Sequence, residues 1–299
     1  MKQIDRRSFL NSASRFTAGA LALGTTFETL CAVAWAQQVA KVNHAASANL
    51  VDRLRTQFTF QISVDVATIE LGLAVAGAAL AGGITIVEMG TPLLKNQGVS
   101  NVVPAFRRKF PEALLLADMK TMDGGAFEAR AVFAGGANII DFLALAGVDT
   151  AKAICAVRDE FRRDDAKLPR LVFADILVPH QGPSAQAADV ARRLLDACVD
   201  AVGIHLQSDA RRADPALIEK NYLDDVARVI FERVGSTAPV QVVGGLTVAQ
   251  AKRLADAGLR AFVISGNLGE PDTRARYDLP PDQIERHVAA FITEVSKRK

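Results

Sequence analysis

The sequence predicts an α/β protein built as a single (β/α)8 TIM barrel, preceded by a cleavable N-terminal targeting segment. From about residue 58 onward, short apolar runs rich in β-branched residues alternate with longer stretches of helical period. The runs are hydrophobic throughout, which is typical of parallel strands buried on both faces. Eight such runs without a long linker favour a closed barrel over an open sheet. The predicted parts are a signal segment at 1–36, a lead-in with a short helix at 37–57, and the barrel at 58–299.

Residues 1–36 have the features of an export signal, in the usual order. Residues 5–10 (DRRSFL) resemble the twin-arginine motif, an apolar run follows at 16–27, and residues 34–36 (AWA) fit a small-x-small cleavage site. The apolar run is too short and too rich in Gly and Thr for a stable membrane anchor. We therefore expect an exported, periplasmic protein, or a cytoplasmic one if the arginine pair is a chance feature.

The charge balance and the cysteines exclude some classes of function. Residues 1–36 hold four of the 35 basic and two of the 33 acidic side chains, so equal numbers of the two signs remain. This balance does not indicate a nucleic-acid partner. After residue 36 the chain keeps Cys155 and Cys198, which lack the spacing of metal ligands. They are predicted to be buried free thiols, although an oxidising compartment would permit a disulfide.

The barrel region repeats one strand and one helix at a time. The predicted strands are, in chain order, Phe60–Val64, Ile84–Val87, Ala113–Ala117, Ile139–Ile140, Leu171–Ala174, Ala201–Ile204, Val240–Val243 and Ala261–Ile264. Several helices end in glycine just before the next strand, at Gly82, Gly135 and Gly258. The first strand is not followed by a G-x-G-x-x-G fingerprint, which disfavours a dinucleotide-binding fold.

Polar side chains follow most of the apolar runs. They are Asp65, Glu88, Asp118, Asp175 and His205. The carboxyl ends of barrel strands meet at one mouth, where catalytic groups gather in this architecture. A carboxylate there is unfavourable unless it is paired, hydrogen-bonded or bound to metal. A single Asp is equally well explained as a helix N-cap, but a ring of acids with a histidine indicates an active site.

The densest cluster is residues 116–123 (LADMKTMD). Asp118 and Lys120 are two residues apart, so an extended strand end directs both side chains to one side, and Asp123 then begins a helix. Two acids flanking the ammonium keep Lys120 charged, which suits stabilisation of a developing oxyanion. A local salt bridge with helix capping explains these three residues equally well when they are considered alone.

Two further groups complete the predicted site. Glu88 and Asp118 offer hard oxygen ligands at neighbouring strand ends, which predicts a Mg²⁺ site. His205 is a candidate for proton transfer because histidine titrates near neutral pH.

Glycines follow the last two strands. Gly244 and Gly245 come after strand seven, and Gly266 and Asn267 after strand eight, where barrels commonly bind a phosphate. Glycine pairs also make ordinary turns, so this indication depends on their location.

Residues 58–271 resemble the group of 3-hexulose-6-phosphate synthases and 3-keto-L-gulonate-6-phosphate decarboxylases in the orotidine-5′-phosphate decarboxylase superfamily. The resemblance rests on residues 88–95 (EMGTPLLK), 117–125 (ADMKTMDGG) and 134–138 (AGGAN) and on the Gly244–Gly245 turn. Asn267 stands where the decarboxylases usually carry arginine, and residues 177–183 and 206–222 depart from the family pattern.

This resemblance implies a role for each candidate residue. Glu88 and Asp118 would bind Mg²⁺, and Asp65 would bind substrate hydroxyls. Lys120 would stabilise the oxyanion, His205 would move protons, and Asp123 would reach into the partner's site in a homodimer. The implied enzyme is an aldehyde-lyase of sugar phosphates, in which an enediolate of ribulose 5-phosphate attacks formaldehyde. The alternatives are a carboxy-lyase of keto-gulonate-phosphate type and an exported, non-catalytic sugar-binding barrel.

Overall fold

The computed structural model describes residues 46–164 and 168–297. The predicted signal at 1–36 and the first part of the lead-in lie outside the described residues. In the described part, eight parallel strands form a closed barrel in chain order, so the predicted barrel is confirmed. The strands are β1 (Thr59–Val64), β2 (Ile86–Met89), β3 (Leu114–Thr121), β4 (Ile139–Leu143), β5 (Leu171–Val178), β6 (Ala201–Leu206), β7 (Val240–Val243) and β8 (Ala261–Ile264).

Helices surround the barrel and connect its strands. They are α1 (46–56), α2 (Ile69–Ala81), α3 (Thr91–Gln97), α4 (Val99–Lys109), α5 (Gly125–Ala134), α6 (Gly147–Asp164), α7 (Ser184–Ala197), α8 (Ser208–Ala213), α9 (Ala216–Glu219), α10 (Tyr222–Val234), α11 (Val248–Asp256) and α12 (Pro281–Ser296). Gly82 and Gly135 are the C-caps of α2 and α5, as the sequence pattern indicates. Among the described helices, none combines the length and the apolar composition that crossing a bilayer requires.

Several strands continue beyond the apolar runs that predict them. β3, β5 and β6 extend to Thr121, Val178 and Leu206. As a result, Asp118 and Asp175 lie within their strands and not after them. The difference arises because side chains that face the barrel interior near its mouth are polar, so a run of apolar residues ends before the strand does.

Strand residues alternate between two apolar clusters. In β3, Leu115 and Ala117 pack with the surrounding helices, whereas Leu116 belongs to a smaller cluster inside the barrel. This inner cluster also contains Leu50 and Leu54 of α1. Its other buried members include the first residues of four strands, Ile86, Ile139, Leu171 and Ala201. Helix α1 therefore closes the amino end of the barrel, opposite the mouth.

A disulfide joins Cys155 of α6 to Cys198 at the C-cap of α7. The prediction of free thiols was therefore wrong. Neighbouring helices bring the two Cα atoms to 6.3 Å, within the range that a disulfide spans, although 43 residues separate them in sequence. Spacing along the chain carries no information about this contact, which depends on the packing of α6 against α7.

Candidate active site

The carboxyl ends of β1 to β6 bring a ring of titratable side chains to the barrel mouth. Its members are Asp65, Glu88, Asp118, Lys120, Asp141, Asp175 and His205. The pairing of neighbouring strands places Asp118 of β3 opposite Asp141 of β4. Each of these side chains lies at or shortly after the end of a predicted apolar run. Asp141 is the one member that the sequence prediction omits, and its position directly after the predicted run Ile139–Ile140 is the signal that could have revealed it.

Lys120 lies between two aspartates. Its Nζ atom is 2.9 Å from Oδ1 of Asp118 and 2.8 Å from Oδ2 of Asp175. Burial alone would lower the pKa of Lys120, but Asp175, Asp118 and Asp141 raise it well above its ordinary value. The lysine is therefore a fixed cation. The second acid beside the ammonium is Asp175 and not Asp123, so that part of the sequence prediction was wrong.

The backbone at Lys120 is not a regular strand. Its φ is 47°, in the left-handed region, and the pairing of β3 with β4 shifts between Asp118 and Thr121. A non-glycine residue adopts this conformation only where its surroundings compensate for the strain, which is common at functional sites. The bulge, and not the simple alternation of an extended strand, brings Lys120 to the same side as Asp118.

Asp175 connects the lysine to the histidine. Nδ1 of His205 lies 3.0 Å from Oδ2 of Asp175, the same oxygen that accepts from Lys120. Burial alone would raise the pKa of Asp175, but Lys120 and His205 outweigh it and hold that pKa below the ordinary range. Asp175 therefore stays ionised and fixes the orientation of both partners. The sequence places Asp175 at the mouth but assigns it no role.

Hydrogen bonds hold Glu88 in place from β1. Oγ of Ser63 is 3.0 Å from Oε1 of Glu88, and Nε2 of Gln61 donates to Oε2. Nε2 of Gln241 in turn donates to Oε1 of Gln61 over 2.8 Å, which fixes the orientation of that amide. Burial, reinforced by Asp118 and Asp65, raises the pKa of Glu88 well above its ordinary value. A bound cation would favour the ionised form.

The two sequence motifs contact each other. Oγ1 of Thr91, in the EMGTPLLK motif, donates to Oδ2 of Asp118 over 2.7 Å. Gly90 precedes it, and a Cβ there would overlap both Oδ1 of Asp65 and the backbone oxygen of Val64. Asp65 itself is solvent-exposed, and its Oδ2 accepts from Ser63 at 2.7 Å. The glycine and the threonine of this motif are therefore required by the acids around them.

The acids of the mouth are suited to holding a hard divalent cation. Asp118, Asp141 and Asp175 each offer an oxygen, and these oxygens lie within 4.8 Å of one another. Asp141 is 8% exposed and Asp175 2% exposed, and the Oδ1 atom of each is buried with no hydrogen-bond partner among the described residues. Burial and the neighbouring acids raise the pKa of Asp141 well above its ordinary value. Oxygen ligands in this number suit Mg²⁺.

Asp123 lies outside this ring. It is exposed, and its Oδ1 accepts from the backbone N–H of Gly124 at 2.7 Å. The helix begins at Gly125 with Gly124 as its N-cap, so the expectation that Asp123 begins the helix was wrong by two residues. Gly124 has a φ of 68°, which favours glycine and turns the chain before the helix.

The two glycine loops lie against each other. Gly244 and Gly245 have φ values of 130° and 68°. Nδ2 of Asn267 lies 3.2 Å from the carbonyl oxygens of both Gly245 and Leu246 and 2.7 Å from that of Glu270. The side chain of Asn267 therefore ties the loop after β8 to the loop after β7. Its amide is occupied by backbone carbonyls, which leaves it unsuited to bind an anion.

Comparisons with known proteins identify a matching family and similar proteins. The model of the orotidine 5′-phosphate decarboxylase / HUMPS family matches residues 59–269. The 3-hexulose-6-phosphate synthase of Methylomonas aminofaciens is 28% identical over 203 residues, which are 68% of this chain and 87% of that protein. The synthase of Mycobacterium gastri is 38% identical over 90 residues, 30% of this chain and 42% of that protein.

Solved structures give the same result for the fold. A crystal structure of 3-hexulose-6-phosphate synthase matches with a TM-score of 0.63 and 25% identity, covering 78% of this chain and 99% of that one. The 3-keto-L-gulonate-6-phosphate decarboxylase of Vibrio cholerae matches with a TM-score of 0.58 and 21% identity, covering 81% and 100%. The second likeness is evidence for the fold alone.

Proposed function

The chain belongs to the orotidine 5′-phosphate decarboxylase / HUMPS family, and we propose that it is a lyase that acts on a sugar phosphate. The first candidate is the reaction of 3-hexulose-6-phosphate synthase, the addition of ribulose 5-phosphate to formaldehyde. The observation that carries this proposal is the position of Lys120 between Asp118 and Asp175, with His205 on the same Asp175 oxygen. A non-catalytic sugar-binding barrel would have little use for a cation held in this way.

Each residue has a distinct task in this proposal. Lys120 donates a hydrogen bond to the substrate oxygen that gains negative charge as the enediolate forms. Because Nδ1 of His205 faces Asp175, Nε2 is the nitrogen left to move a proton. Asp65, exposed at the mouth and fixed by Ser63, binds substrate hydroxyls.

The acids fit a divalent cation, for which we propose Mg²⁺. Asp118 and Glu88 are the ligands that the sequence predicts, and Asp141 offers a further oxygen without a partner. When bound, the cation would hold substrate oxygens and stabilise negative charge on them. It would also offset the mutual repulsion of the buried carboxylates.

A turnover assay tests the proposed function. Purified full-length protein is incubated with ribulose 5-phosphate, formaldehyde and Mg²⁺, and the loss of formaldehyde is followed. We expect turnover that stops with EDTA and in Lys120→Ala but persists in Arg212→Gln, an exposed control. Absence of turnover from folded protein would contradict the synthase proposal, and release of CO₂ from a keto-gulonate phosphate would then support the decarboxylase.

We further propose that the protein works as a homodimer with shared active sites. Phe127 is 83% exposed and Met122 53% exposed, on either side of Asp123. Large apolar side chains that are this exposed often mark an interface. A second copy that covers them would bring its own Asp123 close to the mouth of its neighbour.

We also propose that the protein is exported. The twin-arginine pattern at residues 5–10 supports export, and so does the disulfide between Cys155 and Cys198, because disulfides persist in oxidising compartments. Cell fractionation of the wild type and of Arg6→Lys/Arg7→Lys tests this proposal. The wild type should reach the periplasm, and the variant should stay in the cytoplasm.

A further inference from the structure

Arg211 lies against the glycine loop that follows β7 at the barrel mouth. It belongs to α8, in the segment between β6 and α10 that departs from the family pattern. Nη1 of Arg211 donates to the carbonyl oxygens of Gly244, at 2.9 Å, and Gly245, at 3.4 Å. Nδ2 of Asn267 lies 3.2 Å from the same Gly245 oxygen. A positively charged group from another part of the chain therefore reaches the first of the two predicted phosphate loops, and it shares the Gly245 oxygen with Asn267 of the second.

The charge of Arg211 is not compensated. Among the described side chains no carboxylate pairs with it, and its Nε is buried without an acceptor. Burial, together with the neighbouring Arg212, lowers the pKa of Arg211. Arg276, which also contacts Asn267, is neutralised by Asp272 at 2.6 Å. A half-buried cation without a counter-charge is unfavourable unless a ligand supplies one.

The shape of the loop accommodates this arginine. A Cβ on residue 245 would overlap Nη1 of Arg211, and residue 245 has a φ of 68°. The positive φ favours glycine, and the absence of a Cβ leaves room for the guanidinium where it lies. The backbone N–H groups of Gly245, Gly266 and Asn267 donate no hydrogen bond to another described residue. The region around the two glycine loops therefore combines the guanidinium of Arg211 with backbone N–H groups that have no hydrogen-bond acceptor among the described residues.

We propose that Arg211 is the cation that binds the phosphoryl group of the substrate, an inference that rests on the proposed function. The donors suit a phosphate monoester, because guanidinium forms strong, charge-assisted bonds with phosphate oxygens. Asn267 contributes no charge here because its amide is neutral, and the N–H groups of that amide bond to backbone carbonyls. Arg211 thus makes the site specific for phosphorylated sugars over their unphosphorylated forms.

Calorimetric titration with inorganic phosphate tests the inference on the full-length protein. Arg211→Gln should weaken phosphate binding by a factor of about ten or more, the loss expected for one charge-assisted hydrogen bond. Arg211→Lys should retain part of the affinity because it keeps the charge. Arg212→Gln, an exposed neighbour on the same helix, should bind as the wild type does. Unchanged affinity in Arg211→Gln, or no phosphate binding by the wild type, would overturn the inference.

Two further measurements separate this inference from its alternatives. Binding of Mn²⁺ should be unchanged in Arg211→Gln, and its loss would overturn the inference by showing general damage to the mouth. With ribulose 5-phosphate, Arg211→Gln should raise KM more than it lowers kcat, and an unchanged KM would overturn the role of Arg211 while the function stands. If phosphate binding depends on Arg211 but ribulose 5-phosphate is not turned over, the function fails and the anion site stands.

Discussion

Nδ1 of His205 lies 3.0 Å from Oδ2 of Asp175, and that one oxygen also accepts a hydrogen bond from Lys120. A single carboxylate on β5 thus orients the proposed proton carrier from β6 and the fixed cation from β3. Because Asp175 is 2% exposed, water cannot replace either contact easily. Asp175 is therefore a positioning residue whose loss should affect two functional groups at once.

Replacement of Asp175 tests this arrangement. Asp175→Asn should lower kcat by about a hundredfold or more, because the amide neither fixes the His205 tautomer nor balances the Lys120 charge. Steady-state kinetics measures the effect. The matched control is Asp189→Asn, which removes an exposed acid paired with Arg233 at 3.2 Å. This control should leave kcat unchanged. If kcat of Asp175→Asn stays within a factor of about two or three of the wild-type value, the result would contradict the assigned role.

Binding of a paramagnetic cation tests the metal ligands without any need for turnover. Asp118→Asn should weaken Mn²⁺ binding, measured by electron paramagnetic resonance, by at least about tenfold. The reason is that Asp118 belongs both to the ligand pair predicted with Glu88 and to the group that it forms with Asp141 and Asp175. The loss of Mn²⁺ affinity in Glu88→Gln, compared with the loss in Asp141→Asn, then shows which of these two residues contributes more to the metal site. Asp123→Asn should have no effect, because Asp123 lies outside the ring. Wild-type affinity in Asp118→Asn would refute the proposed location.

Mixing experiments test the shared site. Lys120→Ala and Asp123→Ala should each be inactive alone, whereas subunit exchange between them should restore activity, because one site of the mixed dimer has both residues intact.

Phe127→Asp should shift the protein towards monomer in sedimentation. Leu71→Asp, at a residue of α2 that is 39% exposed, is the control for adding a charge to the surface. Mixed variants that stay inactive despite exchange would argue against shared sites.

The disulfide should contribute measurably to stability. Reduction should lower the free energy of unfolding by about 2–4 kcal/mol, since a bond across 43 residues restricts the unfolded chain. Urea titration with and without reductant measures the difference. The double variant Cys155→Ala/Cys198→Ala should not respond to reductant. Two free thiols at these positions in the unreduced, denatured protein would show that the bond is absent in solution.

The strands and the location of the site could be predicted because they depend on local patterns. Continuous apolar runs mark strands buried on both faces, and polar residues at their ends meet at one mouth. The pairing of Lys120 with Asp175 could not be predicted in this way. β3 and β5 are separated by β4 in the barrel, and the bulge at Lys120 decides the direction of its side chain.

The other contacts that the sequence did not predict were missed for a related reason. Asp141 follows the short predicted run Ile139–Ile140, but Phe142 and Leu143 come directly after it, so the local composition indicates core packing. Arg211 reaches the glycine loops from a helix whose place in space follows from the path of the chain between β6 and α10. Cys155 and Cys198 meet because α6 packs beside α7. Each contact joins distant parts of the sequence, so local pattern carries little information about it.

Helix α1 makes the barrel a cup that opens at one end. Leu50 and Leu54 close its floor, and Oγ of Ser47 lies 3.3 Å from the backbone nitrogen of Arg170, next to the first residue of β5. Helix α1 therefore begins on the side of the barrel away from the mouth. A purification tag or fluorescent protein fused directly to residue 46, in place of the preceding residues, would attach behind the cup and away from the entrance for substrate.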